Sequence, residues 1–399
     1  MLPMSGSNSA EDRTACVCRV LFVNHVSRLG GAEISLLELL TFLDRERFPP
    51  CAAVPRPGPL AGRIREMRVP AHTLPLMRLR KTANPATLVR YGASGLVTTV
   101  RLLQILRRSR IDLVHANSTT AHLYACLACR IARVPAVWHC RDLVGLGPLG
   151  GALAGSAARI IAVSDAVAAT VARHRHAASK TVVVHNGVDV QRFSPRGPGA
   201  PNAFRAGLGI GPSQVCVGMV AHLVPWKGHR AFLDMAQRVA ARRPEIVFVA
   251  VGDDQFGDQP GYASELQRAV QAPGLRGRMH LAGYREDIEA VYAGMDILVH
   301  PAECEPFGRT VAEAMSMGKP VIAVDAGGPA EIVENGMSGM LVRPGDVGAM
   351  ADAVEQLAGD PARRAALGAA GRRRVEQRFD VRQTVAGIEA VYEGMMNTQ

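Results

Sequence analysis

No stretch of this chain approaches the ~18–20 uninterrupted apolar residues that a membrane-spanning helix needs. The nearest, YGASGLVTTVRLLQIL, is broken by Arg101. The opening residues, MLPMSGSNSAEDRTA, lack the charged n-region and apolar h-region of a secretory signal. The expectation is a disordered segment over 1–15 and a cytoplasmic protein, peripheral on the inner face of a membrane at most. Cys126-x-x-Cys129 has no second cysteine pair to complete a zinc site. The eight cysteines therefore read as buried free thiols in a reducing compartment.

Acidic residues are scarce in one place. Residues 56–110 hold twelve Lys and Arg but a single acid, Glu66. The first half, 1–195, carries 25 basic and 11 acidic residues, whereas 196–399 carries 21 and 24. The formal charge of +11 thus resides in the first half. Such a window suits an anionic membrane surface or an acidic acceptor, or is simply an Arg-rich solvated face. No nucleic-acid-binding motif accompanies it, so nucleic acid is the weakest candidate partner.

With 399 residues, 48% of them apolar, the chain has material for two cores. Short apolar runs alternate with helix-like segments throughout. In the first half the strands are CRVLFVNH, IDLVHANS, PAVWHC, ARIIAVS and KTVVVHNGVD, with Ser164 set to cap the helix DAVAATVARH. SPRGPGAPNAF, 194–204, reads as a linker. The alternation then restarts with VCVGMVA, IVFVAVG, RMHLAG, DILVHP and PVIAVD. The pattern predicts an α/β protein of two Rossmann-like, doubly wound parallel-sheet domains, 16–193 and 205–374. A C-terminal helix over 375–399 is expected to pack back toward the first domain. Ligands should bind in the central cleft between the domains, at the strand C-termini.

Several loops at strand ends carry candidate chemistry. RLGGAE sets Gly30 and Gly31 before a helix, where backbone can approach an anion or merely turn. GLGPLG, 145–150, matches G-x-G-x-x-G only formally: Pro148 interrupts it and no clear helical sequence follows. VAHLVPWKGHR puts Lys227 beside a helix start, the makings of a phosphate cradle or a plain surface lysine. In HPAECEPFGRTVAEAM, Thr310 and Glu313 form an S/T-x-x-E capping box, whereas Glu305 lies in the preceding loop. Two carboxylates around an amide-rich loop suit a sugar diphosphate, accepting from hydroxyls while amides meet phosphate oxygens.

Taken in order, GGAE, HNGVDVQRF, LVPWKGH, VGDD, LAGYREDI, the HPAECEPFGRTVAEAMSMGKPVIAVDAGGPAEIVENGMSG block and LVRPGD span some 350 residues. They resemble the retaining glycosyltransferases of family 4, which have the GT-B fold. The resemblance implies transfer of a sugar from a nucleotide-diphosphate sugar to an acceptor hydroxyl, with retention and without a bound metal or other cofactor. It implies that Glu305 accepts from donor-sugar hydroxyls and Glu313 from the ribose. Amides of Phe307, Gly308, Arg309 and Thr310 would line the sugar and diphosphate, and Lys227 would neutralise the diphosphate. Gly283, Tyr284 and Arg285 would edge the base, near Gly252 and Asp253, with Gly30 and Gly31 closing over the phosphates. His139, in WHCRD, would reach the donor sugar. The family usually has arginine five residues before the lysine, and here that position is His222. An imidazole is charged only below about pH 6.5 unless phosphate raises its pKa. The acceptor would be a carbohydrate, a lipid-linked molecule or a small metabolite. The rival readings are a sugar-nucleotide epimerase of the same fold, or a non-catalytic sugar-nucleotide-binding subunit of a membrane polymer-assembly complex.

Overall fold

Runs such as VLFV and IVFVAV are buried on both faces, and the chain satisfies them with two parallel sheets, each covered by helices. The computed structural model describes residues 17–397 apart from 79–82, 144, 196, 198–201, 255, 256 and 258. The expected disordered segment 1–15, Arg80, Lys81 and much of the 194–204 linker lie outside the described residues.

The first sheet holds β1 (Val20–Val23), β2 (Pro50–Val54), β3 (Ala71–Thr73), β4 (Leu113–Ala116), β5 (Ala136–Cys140), β6 (Arg159–Ala162) and β7 (Thr181–Val183). Their spatial order is β3-β2-β1-β4-β5-β6-β7. Its helices are α1 (Gly31–Phe42), α2 (Pro59–Glu66), α3 (Pro85–Arg108), α4 (Thr119–Ala132), α5 (Pro148–Ser156) and α6 (Asp165–Ala172). The helix α5 corrects the sequence reading of GLGPLG, because a helix does begin at Pro148, the imino acid suiting its first turn. Ser164 accepts from the Val167 amide at 3.1 Å and caps α6, as its position suggested.

The second sheet holds β8 (Val215–Val220), β9 (Ile246–Val251), β10 (Met279–Leu281), β11 (Ile297–His300), β12 (Val321–Val324) and β13 (Met340–Val342), ordered β10-β9-β8-β11-β12-β13. Around it lie α7 (Ala203–Gly207), α8 (His229–Ala240), α9 (Tyr262–Ala269), α10 (Ile288–Gly294), α11 (Arg309–Ser316), α12 (Gly327–Ile332), α13 (Val347–Gly359) and α14 (Pro361–Arg378). In both sheets the order reverses beside the first strand, which opens a crevice at the strand C-termini.

Because α14 continues to Arg378, the last helix, α15 (Val381–Met396), starts later than the expected residue 375. The chain recrosses at a bridge between Val188 and Asp380, and α15 then packs on α1. Tyr392 bonds the His115 ring there at 2.7 Å, and Arg47 pairs with Glu393 at 2.6 Å. A second tie joins the domains near α6. Glu331 accepts from the amides of Asp165 and Ala166 and from His185, each at 2.9 Å, placing a carboxylate at a helix N-terminus. One apolar cluster, including Trp138, Phe193, Phe307 and Phe379, runs across both halves.

Not all the described cysteines are buried as expected: Cys126 is half-buried and Cys304 exposed. No helix among the described residues is long and apolar enough to cross a membrane.

Candidate active site

A cleft of about 580 Å³ lies between the two sheets, and every residue expected at the donor site lines it except Gly283 and His139. From the first domain come Gly30 and Gly31 at the start of α1, where Glu33 accepts from the Gly30 amide at 3.1 Å. From the second come His222 after β8, Gly252 and Asp253 after β9, Tyr284 and Arg285 after β10, and the segment from Glu305 to Glu313 after β11.

Glycines allow the close backbone approaches that shape this rim. Gly228, at φ +81°, ends the turn carrying Lys227 and begins α8, and a Cβ there would lie 2.7 Å from the Pro301 carbonyl oxygen. Gly327, at φ +59°, packs so tightly that its Cβ would lie 2.4 Å from the Glu305 carbonyl oxygen. The next amide, Gly328, donates to that same oxygen at 2.9 Å. The AGGPAE loop therefore clamps the Glu305 loop from behind.

Lys227 and Glu305 form a buried ion pair, with the ammonium also 4.3 Å from the centroid of the Trp226 ring. His300 Nε2 lies 3.6 Å from the same carboxylate. Burial by itself would raise the Glu305 pKa, but Lys227 and His300 outweigh it and hold the carboxyl at about 2. Glu305 is thus ionised and acceptor-only. The His222 pKa is lowered, by burial first and then by the Lys227 charge, against opposing pulls from Asp253 and Glu305. Without a bound anion, His222 is neutral at pH 7.

The expected capping box does not form. The helix α11 starts two residues earlier than it requires, with Gly308 as N-cap at φ +99°. Thr310 therefore sits inside the first turn and contacts His300 Nδ1 at 3.2 Å. Glu313 accepts from the Tyr292 hydroxyl at 2.8 Å and from Arg309 at 3.0 Å. Burial raises the Glu313 pKa more than Arg309 lowers it. Arg309 contributes more than the backbone amide expected of it. Its buried side chain reaches across the cleft to Glu38 on α1, Ser35 and the Gly187 carbonyl. Burial works against the Arg309 charge, but Glu38 and Glu313 outweigh it and push its pKa above the ordinary value.

The position of His139 departs from the expectation. Its ring is wholly buried behind the cleft wall, where Nδ1 meets His115 at 3.0 Å and Arg141 at 3.3 Å. Burial first, and then Arg141 and His115, drive its pKa well below the usual range, so it is neutral. With Nδ1 accepting, the ring proton is assigned to Nε2, and the residue lines a small cavity rather than the donor cleft. The residue that does reach the cleft is Arg141, two positions on. Asn117 and Asn186 accept from its guanidinium at 3.0 and 2.8 Å. Burial lowers its pKa to about 10, which leaves it charged at neutral pH. Sequence reasoning missed Arg141, although it stands beside His139 in WHCRD. It also missed Glu38, whose only signal was an acid inside the apolar run LLELL.

Among the described residues, Asp165, His185 and Glu331 bring ligand atoms within 4.8 Å of one another. Both Glu331 oxygens already accept from the α6 amides, and none of the three lines the cleft.

Comparison with known proteins gives matches to both halves. The model of "Glycosyltransferase Family 4" matches residues 29–192, and that of "Glycosyl transferases group 1" matches 202–374. The lipopolysaccharide core biosynthesis mannosyltransferase LpsB of Rhizobium meliloti is 33% identical over 218 residues, covering 54% of this chain and 61% of that protein. A GDP-mannose-dependent monoacylated alpha-(1-6)-phosphatidylinositol monomannoside mannosyltransferase of Corynebacterium glutamicum is 33% identical over 202 residues, 48% of this chain and 50% of its own. These alignments thus span between half and two thirds of the relatives' length. Over nearly the whole chain, the crystal structure of Anabaena Alr3699/HepE in complex with UDP and glucose superposes with a TM-score of 0.80. It is 28% identical, and the match covers 94% of this chain and 99% of that one.

Proposed function

Because the chain belongs to the group 1, family 4 glycosyltransferases of the GT-B fold, we propose that it moves a glycosyl group from a nucleoside-diphosphate sugar to an acceptor hydroxyl in glycan or glycolipid assembly. The transfer retains the anomeric configuration and needs no bound metal. What carries this reading is one arrangement: the Lys227–Glu305 pair and the α11 N-terminus share a cleft wall with Glu313. A cation and a helix start suit a diphosphate, while two carboxylates suit the hydroxyls on either side of it.

In the reaction the acceptor oxygen bonds to the anomeric carbon as the bond from that carbon to phosphate oxygen breaks. The acceptor proton passes to an oxygen of the departing diphosphate. No protein nucleophile is required. Lys227 and the first-turn amides of α11 stabilise the charge that develops on the leaving diphosphate, and Glu305 orients the sugar. Arg141 faces the cleft from the acceptor side, with His139 and His115 holding it in place.

The HepE complex with UDP and the GDP-mannose-dependent relative define the first donors to try. A thermal-shift panel of nucleotide sugars, UDP-glucose and GDP-mannose included, should show one donor raising Tm by mass action. Nucleoside diphosphate should then be released only when acceptor is added, and equally in EDTA. An epimerised donor without diphosphate release would make the protein an isomerase, and donor binding without turnover of any acceptor would make it a binding subunit. Loss of activity in EDTA would overturn metal independence. The acceptor is a carbohydrate, a lipid-linked molecule or a small metabolite, and the basic stretch 56–110 meets an anionic membrane surface while it is engaged.

A further inference from the structure

We infer that α3 is a membrane-docking helix whose outward ridge enters the bilayer. This deepens the reading of the basic first half as a face for anionic lipid. Between Val89 and Val100 of α3 the usual polarity is inverted: Thr98 and Thr99 are buried, while Val89 is 71% and Leu96 68% exposed; beyond it Leu102, Ile105 and Leu106 are buried in the ordinary way. At 100° per residue Val89, Ala93, Leu96 and Val100 fall on one outward line, spaced by four, three and four residues. That is a continuous apolar seam on the side where a water-facing helix carries polar residues. Along one flank, Arg90, Arg101 and Arg108 fall on a second line, all three exposed. No Asp or Glu occurs between Glu66 and Asp112. Leu127 and Ile131 of α4, which packs beside α3, add two further exposed apolar side chains.

The charge decides between occupants. A second copy of this chain would bring arginine rows against one another with no carboxylate between them. A bilayer offers acyl chains to the ridge and lipid phosphates to the arginines, whose long stems can lie along apolar surface with the heads at the interface. At about 1.5 Å per residue the ridge from Val89 to Val100 runs roughly 16 Å, in the plane of the surface rather than through it.

The test uses the full chain with vesicles of phosphatidylcholine alone or with phosphatidylglycerol added. The wild type should co-sediment with the phosphatidylglycerol vesicles at physiological salt. A Leu96→Gln/Val100→Gln variant, with every arginine intact, should lose at least tenfold in vesicle affinity while its thermal response to a nucleotide sugar is unchanged. A Leu96→Trp variant should show indole quenching by lipids brominated in the acyl chains. If the glutamine variant binds like wild type and the tryptophan is not quenched, insertion is wrong and only the electrostatic face survives. If the wild type ignores the phosphatidylglycerol vesicles, both are wrong. A solution dimer that the glutamine variant dissolves would assign the ridge to a second copy and overturn the lipid assignment.

Discussion

The guanidinium of Arg309 grips the carboxylate of Glu38 with both terminal nitrogens, Nη1 to Oε2 at 2.6 Å and Nη2 to Oε1 at 2.9 Å. One residue is on α11 beside the donor cleft and the other on α1 of the opposite domain, 271 positions apart. The same Nη2 holds Glu313 at 3.0 Å, so the carboxylate assigned to the ribose is tied to the contact that joins the domains.

Arg309→Met should cost about 3–5 kcal/mol, because it leaves Glu38 and Glu313 buried without their shared cation. In a double-mutant cycle with Glu38→Gln, urea unfolding should show the double variant less destabilised than the sum of the singles. Strict additivity would mean the pair is not a coupling element.

Glu305 has a pKa lowered from 4.5 to about 2, which links its ion pair to acid stability. The contribution, on the order of 3 kcal/mol, is complete above the unfolded-state pKa and is withdrawn as pH falls toward 2. Removing the cation with Lys227→Met should raise the Glu305 pKa and move acid unfolding to higher pH. Unchanged acid midpoints would dissolve the pairing.

The proposed transfer gives both partners a role in turnover as well. Lys227→Ala and Glu305→Ala should each lower kcat/KM by about 100- to 1,000-fold, as loss of a preorganised charge contact does. A loss of less than tenfold in Glu305→Ala would remove its assignment to the donor sugar.

Burial and the Lys227 charge lower the His222 pKa, so without a bound anion the ring is neutral at pH 7. A diphosphate at this position raises that pKa, so donor binding takes up a proton. Donor KM should then rise with pH from below pH 6.5 and level off above the pKa of the bound state. His222→Arg, always charged, should flatten the profile. Matching profiles for the two proteins would take His222 off the phosphate.

Gly327→Ala combines a left-handed φ of +59° with a Cβ 2.4 Å from the Glu305 carbonyl oxygen. It should cost about 1–3 kcal/mol and raise donor KM by displacing the Glu305 loop. Gly151→Ala, in α5 with nothing within 4 Å of the added carbon, should leave KM untouched. Equal KM values for both variants would separate the AGGPAE loop from the site.

Much of this was legible along the chain because parallel strands covered on both faces write themselves as short apolar runs, and loops at their C-termini carry the polar residues. Glu305 and Lys227 could be singled out that way, whereas His222 was marked by the family resemblance. The capping box failed because Gly308, free to adopt positive φ, starts α11 two residues early and moves Thr310 inside the helix. The strand-end pattern marked WHCRD but could not say which side chain turns outward. His139 lines a small cavity behind the cleft, and Arg141 reaches the cleft.

By itself, then, the amino-acid sequence determined the two parallel sheets and their strand-end loops, since these follow from local periodicity and hydrophobic burial, while the short β2, β3 and β13 were not among the strands it marked. The tertiary structure alone decided the pairings that cross the cleft: Arg309 with Glu38, Glu331 with the start of α6, and Tyr392 with His115. Each joins residues more than a hundred positions apart, and charge complementarity at such separation becomes visible only once the fold sets the distance.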